Sequence, residues 1–237
     1  MIEHRHLSDF ARMLADPTRA RIVASLMGGT ALPATDLAIM ADVRPSTASE
    51  HLSRLVAGGL LVVERQGRHR YYRLSGRRVA TLVESIAVLS PPAGPSAPGR
   101  ERLRRARTCY DHLAGDLGVA LTGALVERGY LADAGHGYRA GVEGTKKLAG
   151  LVGVEVGPSG SGHALFGRKC LDWTERRHHC GGRLGAAIAR AFFDARWIAR
   201  GLESRAVDVL PRGVEGLRKL GVDVTARSKC SPSAGRP

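Results

Sequence analysis

Within the 237 residues no apolar run approaches the ~18 needed to cross a bilayer. The opening stretch Met1–His6 also lacks the charged-then-apolar layout of a secretory signal, so the expected location is the cytoplasm, with no membrane partner. Cysteine is scarce. Cys109, Cys170, Cys180 and Cys230 are the four present, and in a cytosolic chain they read as core thiols, metal ligands or redox groups rather than a disulfide framework. Acidic residues are in short supply as well: 22 against 36 Lys and Arg, for a net charge of +14. Such a surplus favours a polyanionic partner, because each neutralised phosphate releases condensed counterions. Missing too are a phosphate-binding glycine loop, a His-Glu-x-x-His segment and a nucleophile elbow. Cys109, Asp111 and His112 lie too close along the chain to align a nucleophile with its base, so no enzyme is expected.

Hydrophobic residues make up 43% and charged residues 24%, enough for two globular domains with cores of their own. Residues 91–99 read PPAGPSAPG, which neither continues a helix nor builds a core. The expected division is a first domain over 1–90, a Pro/Gly-rich linker over 91–100, a second domain over 101–227, and a short polar disordered tail over 228–237. The expected fold class is mostly α with small β-hairpins (α+β).

In the first domain Asp16 caps a helix opened by Pro17, and Ile22, Val23 and Leu26 share its apolar face. Thr35-Asp36 starts a short helix, Asp42-Val43-Arg44 makes a turn, and Pro45 opens the next helix. On that helix Ala48, Leu52 and Leu55 face the core. Ser46, Thr47, Ser49, Glu50, Ser53 and Arg54 therefore point elsewhere, and Gly58-Gly59 ends the helix. Residues 61–65 and 69–74 form a hairpin around Gln66, Gly67 and Arg68 that carries Arg65, Arg68, Arg70 and Arg73. A helix with a polar outer face fits the major groove, and an arginine-bearing hairpin beside it reaches phosphates or the minor groove. The predicted contacts with double-stranded DNA are Arg44, Ser46, Thr47, Ser49, Glu50, Arg54, Arg65, Arg68 and Arg70. His51 is read as a partly buried packing residue.

These segments resemble the ArsR/SmtB family of winged helix-turn-helix regulators. The likeness is carried by LADPTRARIV at 14–23, STASEHLSRL at 46–55, AGGL at 57–60 and GRHRYY at 67–72, and covers about residues 7–88. It implies a homodimeric repressor of transcription whose effector weakens operator binding, with the helices near 3–14 and 75–89 forming the dimer interface. Val79, Leu82, Val83 and Ile86 give the latter an apolar stripe. The family's known metal sites do not carry over: the helix before the turn reads DLAIMAD with no cysteine pair, and the last helix offers only Glu84. Any effector, a metal or a small molecule, must act elsewhere.

The second domain contains an internal repeat over about 109–156 and 176–224. His112 to Ala120 matches His179 to Ala187 at an offset of 67, and Val142 to Leu148 matches Val214 to Leu220. Each half reads as helix, hairpin, helix, the first helix running over about 109–128, and two such halves pack about a pseudo-twofold axis. A second likeness, to the extension of a longer ArsR-like subgroup, rests on RTCYDHLAG at 107–115 and CLDWTERR at 170–177, and brings no ligand with it. The candidate effector residues are Cys109, His112, Cys170, His178, His179 and Cys180. Cys109 and His112 are expected on one helical face, and His112 and His179 converge if the halves pack about their axis. Such ligands suit a soft transition metal, zinc or copper, or haem. Thiol oxidation, and an organic ligand in a pocket walled by Trp173 and Trp197, remain open beside it. So does a structural role, with Asp172 and Arg176 forming an i,i+4 ion pair. The five arginines from Arg100 to Arg107 leave a further alternative: no small effector, and an extension that serves dimerisation or contacts DNA or protein.

Overall fold

The computed structural model describes residues 4–67, 69–90, 98–153, 166–201 and 205–224. These fall in two compact units, Met1–Ala87 and Val88–Pro237. The secondary structure is mixed α+β. No helix among the described residues is long and apolar enough to cross a membrane.

In the first unit helix α1 (His4–Ala15) is followed by α2 (Pro17–Ser25). Asp16 ends one and starts the other by accepting the Arg19 N–H at 2.9 Å, which satisfies a donor that a helix start leaves free. A 3₁₀ turn and strand β1 (Leu32–Pro33) lead into α3 (Ala34–Ala41), which stops where Asp42 turns left-handed at φ 57°. Pro45 then opens α4 (Pro45–Ala57). Strands β2 (Leu61–Gln66) and β3 (His69–Leu74) form the hairpin in a three-stranded sheet ordered β1-β3-β2, and α5 (Arg77–Leu89) follows. Ile22, Leu26, Met27, Leu37, Leu52, Leu55, Leu60 and Leu74 are sealed in the core.

The second unit opens with α6 (Pro98–Arg105). Pro98, Gly99 and Arg100, assigned above to the linker, therefore belong to a helix, because proline fits a helix's first turn. The remaining linker residues, 91–97, lie outside the described residues. Strands β4 (Arg107–Cys109) and β5 (His112–Ala114) pair antiparallel before α7 (Gly115–Glu127) begins. The helix expected from 109 is thus shorter. Tyr110 in the two-residue turn has φ 59° and Gly115 has φ 76°, and left-handed backbone cannot continue a right-handed helix. Then come β6 (Leu131–Asp133), β7 (Gly137–Ala140) and α8 (Val142–Val152). The second series is β8 (Phe166–Leu171), β9 (His178–Gly181), α9 (Gly182–Asp194), β10 (Ile198–Arg200), β11 (Val207–Val209) and α10 (Pro211–Lys219). A four-stranded sheet ordered β6-β7-β8-β9 ties the two series together, beside the two-stranded pairs β4-β5 and β10-β11. Leu117, Leu121 and Leu125 of α7 and Leu184, Ile188 and Phe192 of α9 make the apolar core. The expected tail, 228–237, lies outside the described residues.

Candidate functional site

Two faces carry chemistry, one in each unit. In the first, burial of Ala48, Leu52 and Leu55 turns the opposite side of α4 outward, and Arg44, Ser46, Ser49, Glu50 and Arg54 are exposed with Thr47 half-buried. Arg65 and Arg70 face each other across the hairpin register, both exposed. Arg73 is engaged by Glu64, while Arg68 lies outside the described residues. His51 is part-buried with Nδ1 3.8 Å from Asp16, so it packs the helix rather than joining the polar face.

In the second unit a turn of only two residues places Cys109 directly opposite His112, and the β8–β9 ladder places Cys170 directly opposite His179. Cross-strand partners point to one side of their hairpin, so each hairpin offers one thiol and one imidazole together. The two pairs meet. The four ligand atoms lie within 4.8 Å of one another and all four residues are buried. Cys109 Sγ is 4.0 Å from Cys170 Sγ, and His112 Nε2 is 3.1 Å from His179 Nε2. Cys109, His112, Cys170 and His179 can thus hold a metal ion. Cys109 and His112 share a face as expected, but as strand neighbours and not along a helix.

The cluster sets its own ionisation. Cys109 beside it, together with His112 and His179, draws the Cys170 thiol well below its ordinary range against the opposing effect of burial. Burial disfavours charge on His112, yet Asp111 and Cys170 raise its pKa above the usual value. Beneath the cluster, Asp172 accepts both Arg107 Nη2 contacts at 3.0 Å, the Gly115 N–H at 2.7 Å and the Thr174 hydroxyl at 2.6 Å. Burial works against this carboxylate, but Arg107 and these donors hold its pKa below the usual range. Arg107 lies over the Trp173 ring, 4.8 Å from its centroid. The expected i,i+4 pair therefore does not form: Asp172 belongs to Arg107, and Arg176 donates instead to the carbonyls of Val88 and Ser90.

Two predicted ligands stand apart. Strand alternation turns His178 outward, and Cys180 points into the apolar core, where burial pushes its thiol up to about 12. Cys230 lies outside the described residues. The two imidazole Nε2 atoms stand 3.1 Å apart, closer than two axial ligands on either side of a porphyrin iron would lie. Trp197 packs on Phe192 and Trp173 lies beneath Arg107, and neither lines the groove next to α6 and α7. That open groove of about 530 Å³ is lined instead by Ala106, Leu117, Val207 and Val222, with Arg102 and Asp208 at its rim.

Sequence reasoning missed Arg107 and gave Asp172 the wrong partner, because a buried charge pair 65 residues apart leaves no periodic trace. Gly181 was also missed: a Cβ there would stand 2.9 Å from His112 Nε2. The available signal was the repeated Ala/Gly-Gly step at the two helix starts. The arginine-rich run is largely neutralised, with Arg102 on Asp208, Arg104 and Arg105 on Glu101, and Arg107 buried.

A family model described as a helix-turn-helix domain matches residues 14–64. The chain is 37% identical over 212 residues to the uncharacterised HTH-type transcriptional regulator YdfF of Bacillus subtilis, spanning 88% of this chain and 93% of that protein. A match of this length runs through both units. The HTH-type transcriptional regulator CmtR of Mycobacterium tuberculosis is 39% identical over 74 residues, 31% of this chain and 62% of CmtR. Among solved structures, the chain resembles a homodimeric winged helix-turn-helix DNA-binding domain from Mycobacterium bovis, described as a possible ArsR-family regulator. The identity is 28%, over 36% of this chain and 78% of that one, with a TM-score of 0.34.

Proposed function

The chain belongs to the ArsR family of winged helix-turn-helix transcriptional regulators, and we propose that it is a homodimeric repressor released from its operator when a soft metal ion occupies the second unit. Its relatives are transcriptional regulators, not enzymes. The observation that carries the effector reading is the buried meeting of Cys109, His112, Cys170 and His179.

In this reading Arg44, Ser46, Thr47, Ser49, Glu50 and Arg54 face the major groove, and Arg65, Arg68 and Arg70 lie along phosphates or the minor groove. Dimerisation uses α1 and α5. Leu82, Ile86 and Leu89 are exposed at 38%, 44% and 86% and recur at i, i+4 and i+7, the spacing of an apolar stripe along one helix face. The second unit is a tandem repeat of hairpin, helix, hairpin, helix. Support comes from Gly144 and Gly213, each of which closes on the carbonyl of the residue just before its preceding hairpin, Tyr130 or Trp197. In this reading the second half of the repeat runs at an offset of 69 residues, against 72 in the sequence match, and the β10–β11 hairpin is two residues longer than β6–β7.

To switch an operator from mostly bound to mostly free, the ion must favour the DNA-free form by a few kcal/mol. The experiment is fluorescence anisotropy on duplexes selected from a random pool. A dimer should show half-sites about one helical turn apart and a steep loss of affinity with salt, and metal should release it. Salt-insensitive or monomeric binding would contradict the DNA-reading half. Release in Cys170→Ser equal to wild type would contradict the effector half.

A further inference from the structure

We propose that the cluster is a closed, charge-balanced site for one divalent tetrahedral ion, zinc, which fastens the two halves of the second unit, with Asp111 and Asp172 as positioning carboxylates. This rests on the metal-site reading above and names the ion, its geometry and the residues that aim its ligands.

The distances fit the ion. Tetrahedral zinc, with Zn–S of about 2.3 Å and Zn–N of about 2.0–2.1 Å, separates two sulfurs by about 3.8 Å and two nitrogens by about 3.3 Å. The sulfurs stand 4.0 Å apart and the Nε2 atoms 3.1 Å apart, so a few tenths of an ångström complete the tetrahedron. Four protein ligands leave no position for water or substrate, the pattern of a structural site rather than a catalytic one.

Charge selects the valence. Two thiolates and two neutral imidazoles carry two negative charges, which a divalent ion cancels and a monovalent one does not. An uncancelled charge is costly here, because His179 is fully buried, and Asp172 below it is already balanced by Arg107. Hard cations such as magnesium and calcium require oxygen ligands that this site lacks.

The second ring nitrogens point the same way. His112 Nδ1 lies 3.2 Å from Asp111 Oδ1 within hydrogen-bond reach, whereas His179 Nδ1 lies 3.5 Å from Asp172 Oδ2 with no hydrogen bond formed, a gap that binding of the ion would have to close. A carboxylate on Nδ1 keeps the proton there and presents Nε2 to a metal, the arrangement that orients most metal-bound histidines. Asp111 serves the first hairpin and Asp172 the second. The bare backbone of Gly181 makes room for the His112 ring. Since Cys109 and His112 come from β4–β5 and Cys170 and His179 from β8–β9, one ion would join chain segments about 60 residues apart.

The test uses the full-length chain, stripped of metal and titrated with cobalt(II) and then zinc. Cobalt should give the intense visible bands of a tetrahedral site together with thiolate charge transfer, and zinc should bleach them at about one equivalent per chain. Cys109→Ser and Cys170→Ser, each left with one thiolate, should cut the charge-transfer band to about half or bind no metal. Asp111→Asn, at a partly exposed turn position, should weaken zinc 10- to 100-fold in competition with a chromophoric chelator, with the circular dichroism of the metal-free protein unchanged. Asp111→Glu should recover part of the loss. Uptake of no metal at all would sink the metal reading itself. Weak octahedral cobalt bands, or copper in place of zinc in protein purified without chelator, would leave a metal site but overturn this inference. Unchanged zinc affinity in Asp111→Asn would remove its positioning role.

Discussion

The first unit is centred on Ile22, Leu26, Leu37, Leu52 and Leu55, all apolar; the second buries Arg107, Asp172, His112 and His179 just as completely. Among the described residues Glu84 is the one buried charged or polar side chain of the first unit. An apolar core is stable by the area it removes from water and asks nothing of the solution composition. A buried polar centre is different. Each group costs its desolvation unless every partner is in place, and in the proposed site the thiols and imidazoles, which face one another in pairs, would share an ion that the solution must supply. On the proposed reading the labour divides: the DNA-reading unit keeps its shape without an added ion, and a unit whose stability depends on one is suited to report a change.

The sharpest way to break this contrast is to remove one member of the buried pair. Arg107→Ala leaves Asp172 charged and alone, at a cost of about 3–5 kcal/mol. Calorimetry should show the second unit's transition moving down with the first unit's unmoved. A shift in both would mean that the units do not unfold separately. Zinc should act on the same transition in the opposite direction. Free zinc at a thousand times its Kd adds about 4 kcal/mol, and chelation reverses the gain. Leu52→Ala is the complementary probe, expected to cost about 3 kcal/mol in the first unit with no change in zinc affinity. The smallest effect belongs to Asp16→Ala, about 1 kcal/mol for a lost cap. The Arg19 amide lowers the Asp16 pKa against burial, with His51 adding to it. The cap's contribution is therefore present above the unfolded carboxylate pKa and lost as pH falls through the lower folded value. Urea titrations of wild type and variant should converge at acid pH.

How much of each unit could be read in the sequence follows the same line. The first unit is governed by local signals: Asp16-Pro17 marks a helix start, Asp42 a stop, and Ala48, Leu52 and Leu55 repeat at helical spacing. The second unit's chemistry is governed by pairing between distant strands. Cys109 and His112 sit three apart, which suits a helix and a tight hairpin equally well, and only the left-handed Tyr110 decides between them. His112 and His179 could be related through the repeat, but Cys170 reaches the cluster through the register of β8 on β9, which composition does not encode. His178 and Cys180 were attractive for their side chains, and strand alternation sends both away from the site. The Arg107–Asp172 pair has no local signature at all.

The most direct measurement is operator affinity of one metal-free preparation before and after one equivalent of zinc, with Cys170→Ser alongside. Zinc should weaken wild-type binding at least tenfold, about 1.4 kcal/mol, and leave the variant where it started. Equal affinity with and without zinc, in wild-type protein shown to have bound the ion, would contradict a regulatory metal and leave zinc as a fastening for the fold alone.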